Sequence, residues 1–486
     1  MILNDLLLCA GLGVPIMAWW GHGRRGGWLF LLINAVILMV TVLLALLYLQ
    51  AGTLQTQNQA FRVDALSLIF IVLDGVIALS TAWFSRSYFA QEQDQHPFSR
   101  AQQRLYYGSF QGFFFTLLLA LMTNNLGILW VALEGATLST TLLVSFLRTH
   151  EGLEAAWKYF ILCGVGLAMA LFGTVLVYYA AVPVLGTGSQ ALLWSQLKAH
   201  ANVLNAAVLS VAFVFVLVGY GTKVGLSPLN TWLPDAHAAG PSTVSAVLSA
   251  LLLNVALYAV LRYKSIVDIA AGPDFASRLL LVFGLATLLI AAFSMFRQRD
   301  IKRLFAYSSA EHLGIITFAF GLGTPLALFG GFLHIIGHSL SKSSVFFSVG
   351  QAIQAHGGVR DLEKLRGLLH RQPLLAWALL LSGLAILGMP PGVLFLSEFL
   401  IIGASLQSAW VSTPFLLLGL GLAFAAIFPR LRDMIFAPAS AEAPKILPVI
   451  GLVPVFVQLG VVVMLGVYVP SFLQQWISQA GGILHG

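Results

Sequence analysis

Charge is scarce in this sequence. Asp, Glu, Lys and Arg make up 9% of its 486 residues, where a soluble domain carries about a quarter. Cysteine is scarcer still: Cys9 and Cys163 are the only two. They lie far apart in apolar stretches with no CxxC and no metal-ligand spacing, which excludes an iron-sulfur cluster held by this chain. No glycine-rich phosphate loop, Ser-His-Asp arrangement or haem-ligand pattern is present, and the longest loops run only about 20 residues, too short for a soluble domain. Redox or hydrolytic chemistry would therefore belong to another subunit.

What remains is apolar: 59% of the residues are hydrophobic and the mean hydropathy is +0.91. A helix needs about 20 such residues to cross the hydrocarbon. Fourteen segments qualify, near 2-20, 28-50, 64-85, 106-123, 126-147, 156-180, 205-233, 242-262, 277-296, 304-322, 325-352, 374-403, 412-428 and 448-475. The expected fold is an all-α polytopic membrane protein. The runs are unbroken and lack the ten-residue alternation of an outer-membrane barrel. The first has no basic n-region and no cleavage site, so it reads as a retained helix.

The net charge of +7 follows topology. Most Lys and Arg fall in loops of one face, among them Arg24, Arg25, Arg297, Arg299, Lys302, Arg303, Arg360, Lys364, Arg366 and Arg371. By the positive-inside rule that face is cytoplasmic and both termini are outside. No nucleic acid is implied.

Ionisable residues inside spanning helices are costly and usually line polar pathways. Near mid-depth stand Glu134 in the fifth segment, Lys223 in the seventh, His334, His338 and Lys342 in the eleventh and Glu398 in the twelfth. Lys158, near the inner end of the sixth, has snorkelling as its alternative. Lys223 adjoins Gly225 and Pro228, and Glu398 adjoins Gly388, Pro390, Pro391 and Gly392. Proline removes a donor and frees a carbonyl, and such groups are tolerated at depth only in protein or in a water-filled cavity. Two broken helices with hydrated pockets are expected.

His334, His338 and Lys342 recur every four residues and so share one helical face over about 12 Å. A metal there would want a carboxylate as its third ligand, and Lys342 is a poor substitute; a proton wire fits better. Asp74 reads equally as an interhelical hydrogen-bonding group. Glu311 and His312 open a helix and are expected to be partly solvated, and Asp235 and His237 are expected to cap the next helix. The breaks lie five segments apart, an odd offset that reverses orientation. Lys223 follows Glu134 by 89 residues and Glu398 follows Glu311 by 87. An inverted repeat is expected, with segments one to three over 1-105, a first repeat over 106-262, a second over 277-428, and a last helix and tail over 448-486.

KVGLSPLNTWLPDAHAAGPSTVSAVLSA, DIKRLFAYSSAEHLG and HIIGHSLSKSSVFF resemble the antiporter-like subunits of respiratory complex I, membrane-bound hydrogenases and multisubunit cation/proton antiporters. NNLGILWVALEGATLST and LEAAWKYFILCGVGLAMALFGT look most like the F component of hydrogenase-4 complexes, of the formate hydrogenlyase type. The resemblance implies an ion pair between Glu134 and Lys223, a connecting axis through His334, His338 and Lys342, and Glu398 as terminal group. Where some relatives carry His or Lys on the eighth helix, this chain has Ser249 and Asn254, and Asn254 or a water would have to bridge. Also implied are proton translocation in a bacterial cytoplasmic membrane, other membrane subunits and a peripheral redox arm as partners, and a [NiFe] centre with iron-sulfur clusters in those partners. Sodium exchange, a complex I-like NADH:quinone oxidoreductase, an inorganic-carbon uptake complex and a non-pumping scaffold are the rival readings.

Overall fold

The computed structural model describes residues 2–95, 97–438 and 446–484. Helix lies over each of the expected segments. Eleven of the helices among the described residues are long and apolar enough to cross a membrane. Ile301–Leu322 and Pro325–Ala355 are long enough, at 22 and 31 residues, but are not among the eleven. They carry Glu311, His312, His334, His338 and Lys342, which lower their hydropathy. Both are nevertheless almost wholly buried, so protein rather than lipid surrounds their polar groups.

Helix ends sit where side chains can satisfy the free amides. Asn125 accepts from Gly127 and Ile128, Asp300 from Lys302 and Arg303, and Ser99 forms a capping box with Gln102. Thr149 caps the sixth helix, so it starts at His150 and runs 36 residues to Leu185, longer than expected. The seventh segment is interrupted: Ala206–Val224 ends at Gly225, whose φ of 86° suits glycine, and Trp232–Ala239 follows. The twelfth is likewise two pieces, Pro373–Ile386 and Val393–Ser408, with Gly388 at φ 63° between them.

Three features differ from expectation. The connection after Leu185 folds into three short helical pieces between Ser189 and Val203, because its Trp194 docks by its indole N–H on the Arg262 carbonyl and Ser265. Leu54–Gln55 and Arg62–Val63 make a small antiparallel hairpin. The last segment ends as a helix at Val467, and Ser471–Leu484 forms a separate helix in place of a tail. Its alternating polar and apolar residues let it lie on the bundle, where Gln479 accepts from Tyr48. Residues 485 and 486, the end of the expected tail, lie outside the described residues.

Small residues allow the closest helix approaches. A Cβ added at Gly219 would lie 2.5 Å from the Ala170 amide nitrogen and from the Gly166 carbonyl, whereas one at Gly164 would meet nothing within 4 Å. Gly219→Val is therefore expected to destabilise the protein by about 1–3 kcal/mol through overpacking, with Gly164→Val close to neutral. Thermal unfolding in detergent compares the two.

The eighth segment, Ser242–Ala271, is enclosed on all sides. At one end Arg262 forms two hydrogen bonds with Asp64, at 2.7 and 2.8 Å, and stacks 4.3 Å from Trp194. Burial works against the Asp64 carboxylate, but the Arg262 charge and its hydrogen bonds outweigh it and hold the group below the ordinary aspartate range. The resulting stabilisation is fully present above the unfolded value of about 3.9 and is lost as pH falls through the lowered folded value. Asp64→Asn is expected to cost about 3–5 kcal/mol at neutral pH by leaving a buried cation unpaired. A flatter loss of stability below about pH 4 should accompany it. Unfolding midpoints measured from pH 3 to pH 7 check both.

Candidate functional site

Buried polar groups gather at the first helix break. Lys223, fully buried on the last turn before Gly225, donates to the Thr137 hydroxyl. Thr137 stands one turn beyond Glu134 on Leu126–Val144, and this interposed hydroxyl takes the ammonium. The expected Glu134–Lys223 ion pair is not made: no such contact within 4 Å occurs among the described residues. Glu134 Oε2 is buried without a hydrogen-bond partner. The Lys223 ammonium also lies 5.9 Å from the Tyr159 ring, and the Tyr159 hydroxyl pairs with Thr140 at 2.7 Å. Trp232, opening the second half of the broken helix, donates to the Thr222 carbonyl at 2.8 Å and so closes the break on one side.

Lys158 stands apart from this group. Its ammonium pairs with Asp235 at 2.6 Å and is about half exposed, while Arg303 binds the other Asp235 oxygen. Asp235 thus joins three elements at the rim; it and His237 lie inside Trp232–Ala239 and cap no helix, since the next one starts after Pro241 without a side-chain cap. Asp74 is buried with both oxygens unpartnered and joins no other site residue.

The enclosed eighth segment provides the crossing. Leu248–Leu252 is a turn of π-helix, a distortion frequent at functional positions. Within it Ser249 pairs with Ser309 at 2.7 Å. The Ala250 carbonyl accepts from both Asn254 and Ser339, and Asn254 donates to Ser339 at 3.0 Å. Asn254 is thus tied to the eleventh segment, with its Oδ1 unpartnered.

Beyond the crossing lies a dense cluster. Glu311 and His312, expected to be partly solvated, are 2% and 1% exposed, because they sit mid-helix under Pro325–Ala355. His312 Nδ1 is 2.9 Å from His334 Nε2, and its ring centroid is 5.3 Å from that of His338. Both His338 nitrogens are unpartnered, and Lys342 donates to the Phe305 carbonyl at 3.1 Å.

One assignment of the imidazole tautomers satisfies the contacts to Ser397 and between the two rings. The one Ser397 hydrogen goes to the Leu394 carbonyl at 2.8 Å, so its oxygen accepts from His334 Nδ1 at 3.0 Å. A neutral imidazole has one donor and one acceptor nitrogen, so His334 Nε2 is a lone pair and His312 Nδ1 donates to it. His312 Nε2 then stands 3.4 Å from Glu311 Oε2, with no hydrogen bond between them. Glu398 is half-buried, and a Cβ on Gly388 would overlap its carboxylate, which therefore lies in the second helix break.

Sequence reasoning missed Thr137, Tyr159, Ser309 and Ser397, since an isolated hydroxyl carries no signal until its neighbour is known. It also undervalued His237, which is fully buried with both nitrogens unpartnered and stacks 5.0 Å from Phe346. The charges of Lys302 and Lys342 both act on it. Its burial could have been suspected from the apolar residues around it.

Residues 123–423 match the family described as NADH:quinone oxidoreductase/Mrp antiporter, transmembrane. The hydrogenase-4 component F homolog of Methylacidiphilum infernorum is 44% identical over 424 residues, covering 87% of this chain and 88% of that protein. Among solved structures, a subunit of the membrane-bound sulfane sulfur reductase, an archaeal respiratory membrane complex, superposes with a TM-score of 0.86 at 24% identity. The match covers 99% of this chain and 97% of that one. A chain of respiratory complex I from Thermus thermophilus gives 0.76 at 23% identity, covering 96% and 97%. These two likenesses concern the fold.

Proposed function

The chain belongs to the NADH:quinone oxidoreductase/Mrp antiporter transmembrane family, and from that premise we propose that it moves protons as a subunit of a hydrogenase-4-type complex. The multi-pass fold and the antiporter-like subunit class are those of the family. The observation that carries the proposal is the buried set of ionisable groups between two helix breaks, an arrangement too costly to keep in a membrane without use.

In this reading fourteen passes include two inverted five-helix repeats, over 106-262 and 277-428, and the membrane is the bacterial cytoplasmic membrane with both termini outside. A cavity of about 240 Å³ lined by Glu92, Gly240, Lys302 and Arg360 admits water at the inner face, and His237 links it to Lys342. Lys223 holds a proton while Glu134 is near and yields it when Thr137 alone remains. From Lys223 the proton crosses by way of a bridging water to the Ser249–Ser309 hydroxyl pair and on to His338 and His312, while Asn254 ties the crossing to Ser339. Protonation of His312 at Nε2 drives its Nδ1 proton to His334, and Glu398 is the terminal acceptor. Driving energy comes from electron transfer at a [NiFe] centre and iron-sulfur clusters in partner subunits of a peripheral arm. The 44% identity to a hydrogenase-4 component F homolog favours that complex over the rival readings. A sodium site would want several oxygens together, and the cluster here is rich in nitrogen.

The test is affinity purification of the intact complex from its native membrane, followed by pumping measurements in proteoliposomes. A copurifying [NiFe] large subunit and redox-driven proton movement are expected. A complex without hydrogenase subunits would overturn the assignment to hydrogenase-4, and redox turnover without proton movement would leave only the scaffold.

A further inference from the structure

We propose that His312, His334 and Glu398 form a binding site for a divalent transition cation, with Zn²⁺ as the ion the donors fit, and that an ion held there blocks proton passage. The binding stands on geometry alone; the block rests on the pathway proposed above.

One donor atom from each residue, brought together by three different helices, lies within 4.8 Å of the other two. Sequence spacing suggested His334 with His338 and offered only Lys342 as third ligand. Folding replaces His338 by His312 and supplies the missing carboxylate from the twelfth segment. Two imidazoles and one carboxylate, with a fourth position open, match the zinc sites that retain an exchangeable ligand. Nitrogen donors select Zn²⁺ over Mg²⁺ or Ca²⁺, which prefer all-oxygen shells.

The distances need little adjustment. With bonds of about 2.0–2.1 Å, a tetrahedral ion holds its donors roughly 3.3 Å apart. The two imidazole nitrogens already stand at 2.9 Å, so they open by a few tenths of an ångström. Glu398, on a long side chain, closes from no more than 4.8 Å.

The supporting groups are also in place. His334 Nδ1 is held by Ser397 at 3.0 Å, which leaves Nε2 as a lone pair aimed into the cluster. When the ion displaces the His312 Nδ1 proton, the ring carries its proton on Nε2, where Glu311 Oε2 waits at 3.4 Å. A carboxylate behind a metal-bound imidazole is the usual way of fixing its tautomer. Glu311 and Glu398 together balance the two positive charges; the Lys342 charge opposes them. Access is through the second break: the Glu398 carboxylate lies against Gly388, and Met389, Pro390 and Pro391 are exposed beside it. An occupied site would tie up both nitrogens that exchange the proton between His312 and His334, and so interrupt transfer at that step.

The test uses the intact complex, with radioactive Zn²⁺ measuring exchangeable metal above any held tightly by other subunits. One added Zn²⁺ per chain is expected, with affinity at least tenfold weaker in His312→Ala and in the conservative His334→Asn, and near wild type in His338→Asn. Co²⁺ in place of Zn²⁺ should give the visible absorption of a four-coordinate nitrogen and oxygen site, lost in the same two variants. Thermal stabilisation by Zn²⁺ in the wild type but not in His334→Asn guards against a variant that misfolds. Absence of exchangeable binding, or binding unchanged in both weakened variants, overturns the site. In proteoliposomes, pumping should fall over the Zn²⁺ range that fills it; filling without any fall overturns the block. A complex that pumps nothing before Zn²⁺ is added instead overturns the pathway, independently of whether metal binds.

Discussion

Lys223→Ala is expected to abolish proton movement in proteoliposomes of the intact complex, while the complex still assembles. Lys223 is fully buried and its ammonium reaches Thr137 beside Glu134. Among the described residues Lys223 is the basic group that reaches Thr137 at this break, so truncation removes the carrier that can alternate between the two oxygens. Losing a positioned acid or base typically costs 100-fold or more in rate, and a fall of that order in pumping is the expected size. Lys223→Arg separates charge from exchange. It keeps a cation, but guanidinium does not release its proton, so pumping should stay lost with assembly intact. Unchanged pumping in Lys223→Ala would sink the pathway.

Glu398→Gln is the second large effect. The substitution keeps the side chain's size against Gly388 and removes its charge and its titration. Proton release to the outside should fall by a similar order, about 100-fold, and redox turnover of the partner subunits should slow or uncouple. Parallel measurement of electron transfer and internal pH distinguishes these. Full coupling in this variant would leave Glu398 as a structural residue and favour the scaffold.

The positions of the costly residues were legible in the sequence because apolar helices make every ionisable group conspicuous. Gly225 with Pro228, and Gly388 with Pro390 and Pro391, marked both breaks for the same reason: backbone chemistry alone ends a helix there. Helix ends were less legible. The sixth helix begins at His150 because the Thr149 cap decides its start, and the Ser471–Leu484 helix lies on the bundle, where Tyr48 donates to Gln479.

The partners of those residues were not legible. Glu134 and Lys223 were expected to pair directly, yet a threonine one turn away takes the lysine. Glu311 and His312 looked like an exposed helix start until Asp300 was seen to cap the helix a full three turns earlier. Lys158, readable from sequence as a pathway group or as a snorkelling helix end, meets Asp235 at the rim.

The sequence by itself determined that this chain crosses a membrane many times and which side chains bear a charge at depth, since hydrocarbon penalises each one separately and locally. Only the tertiary structure decided that His312 faces His334, that Glu398 approaches both, and that Asn254 joins Ser339. Those contacts join helices distant in sequence, and the packing of small residues such as Gly219 sets how closely the helices approach.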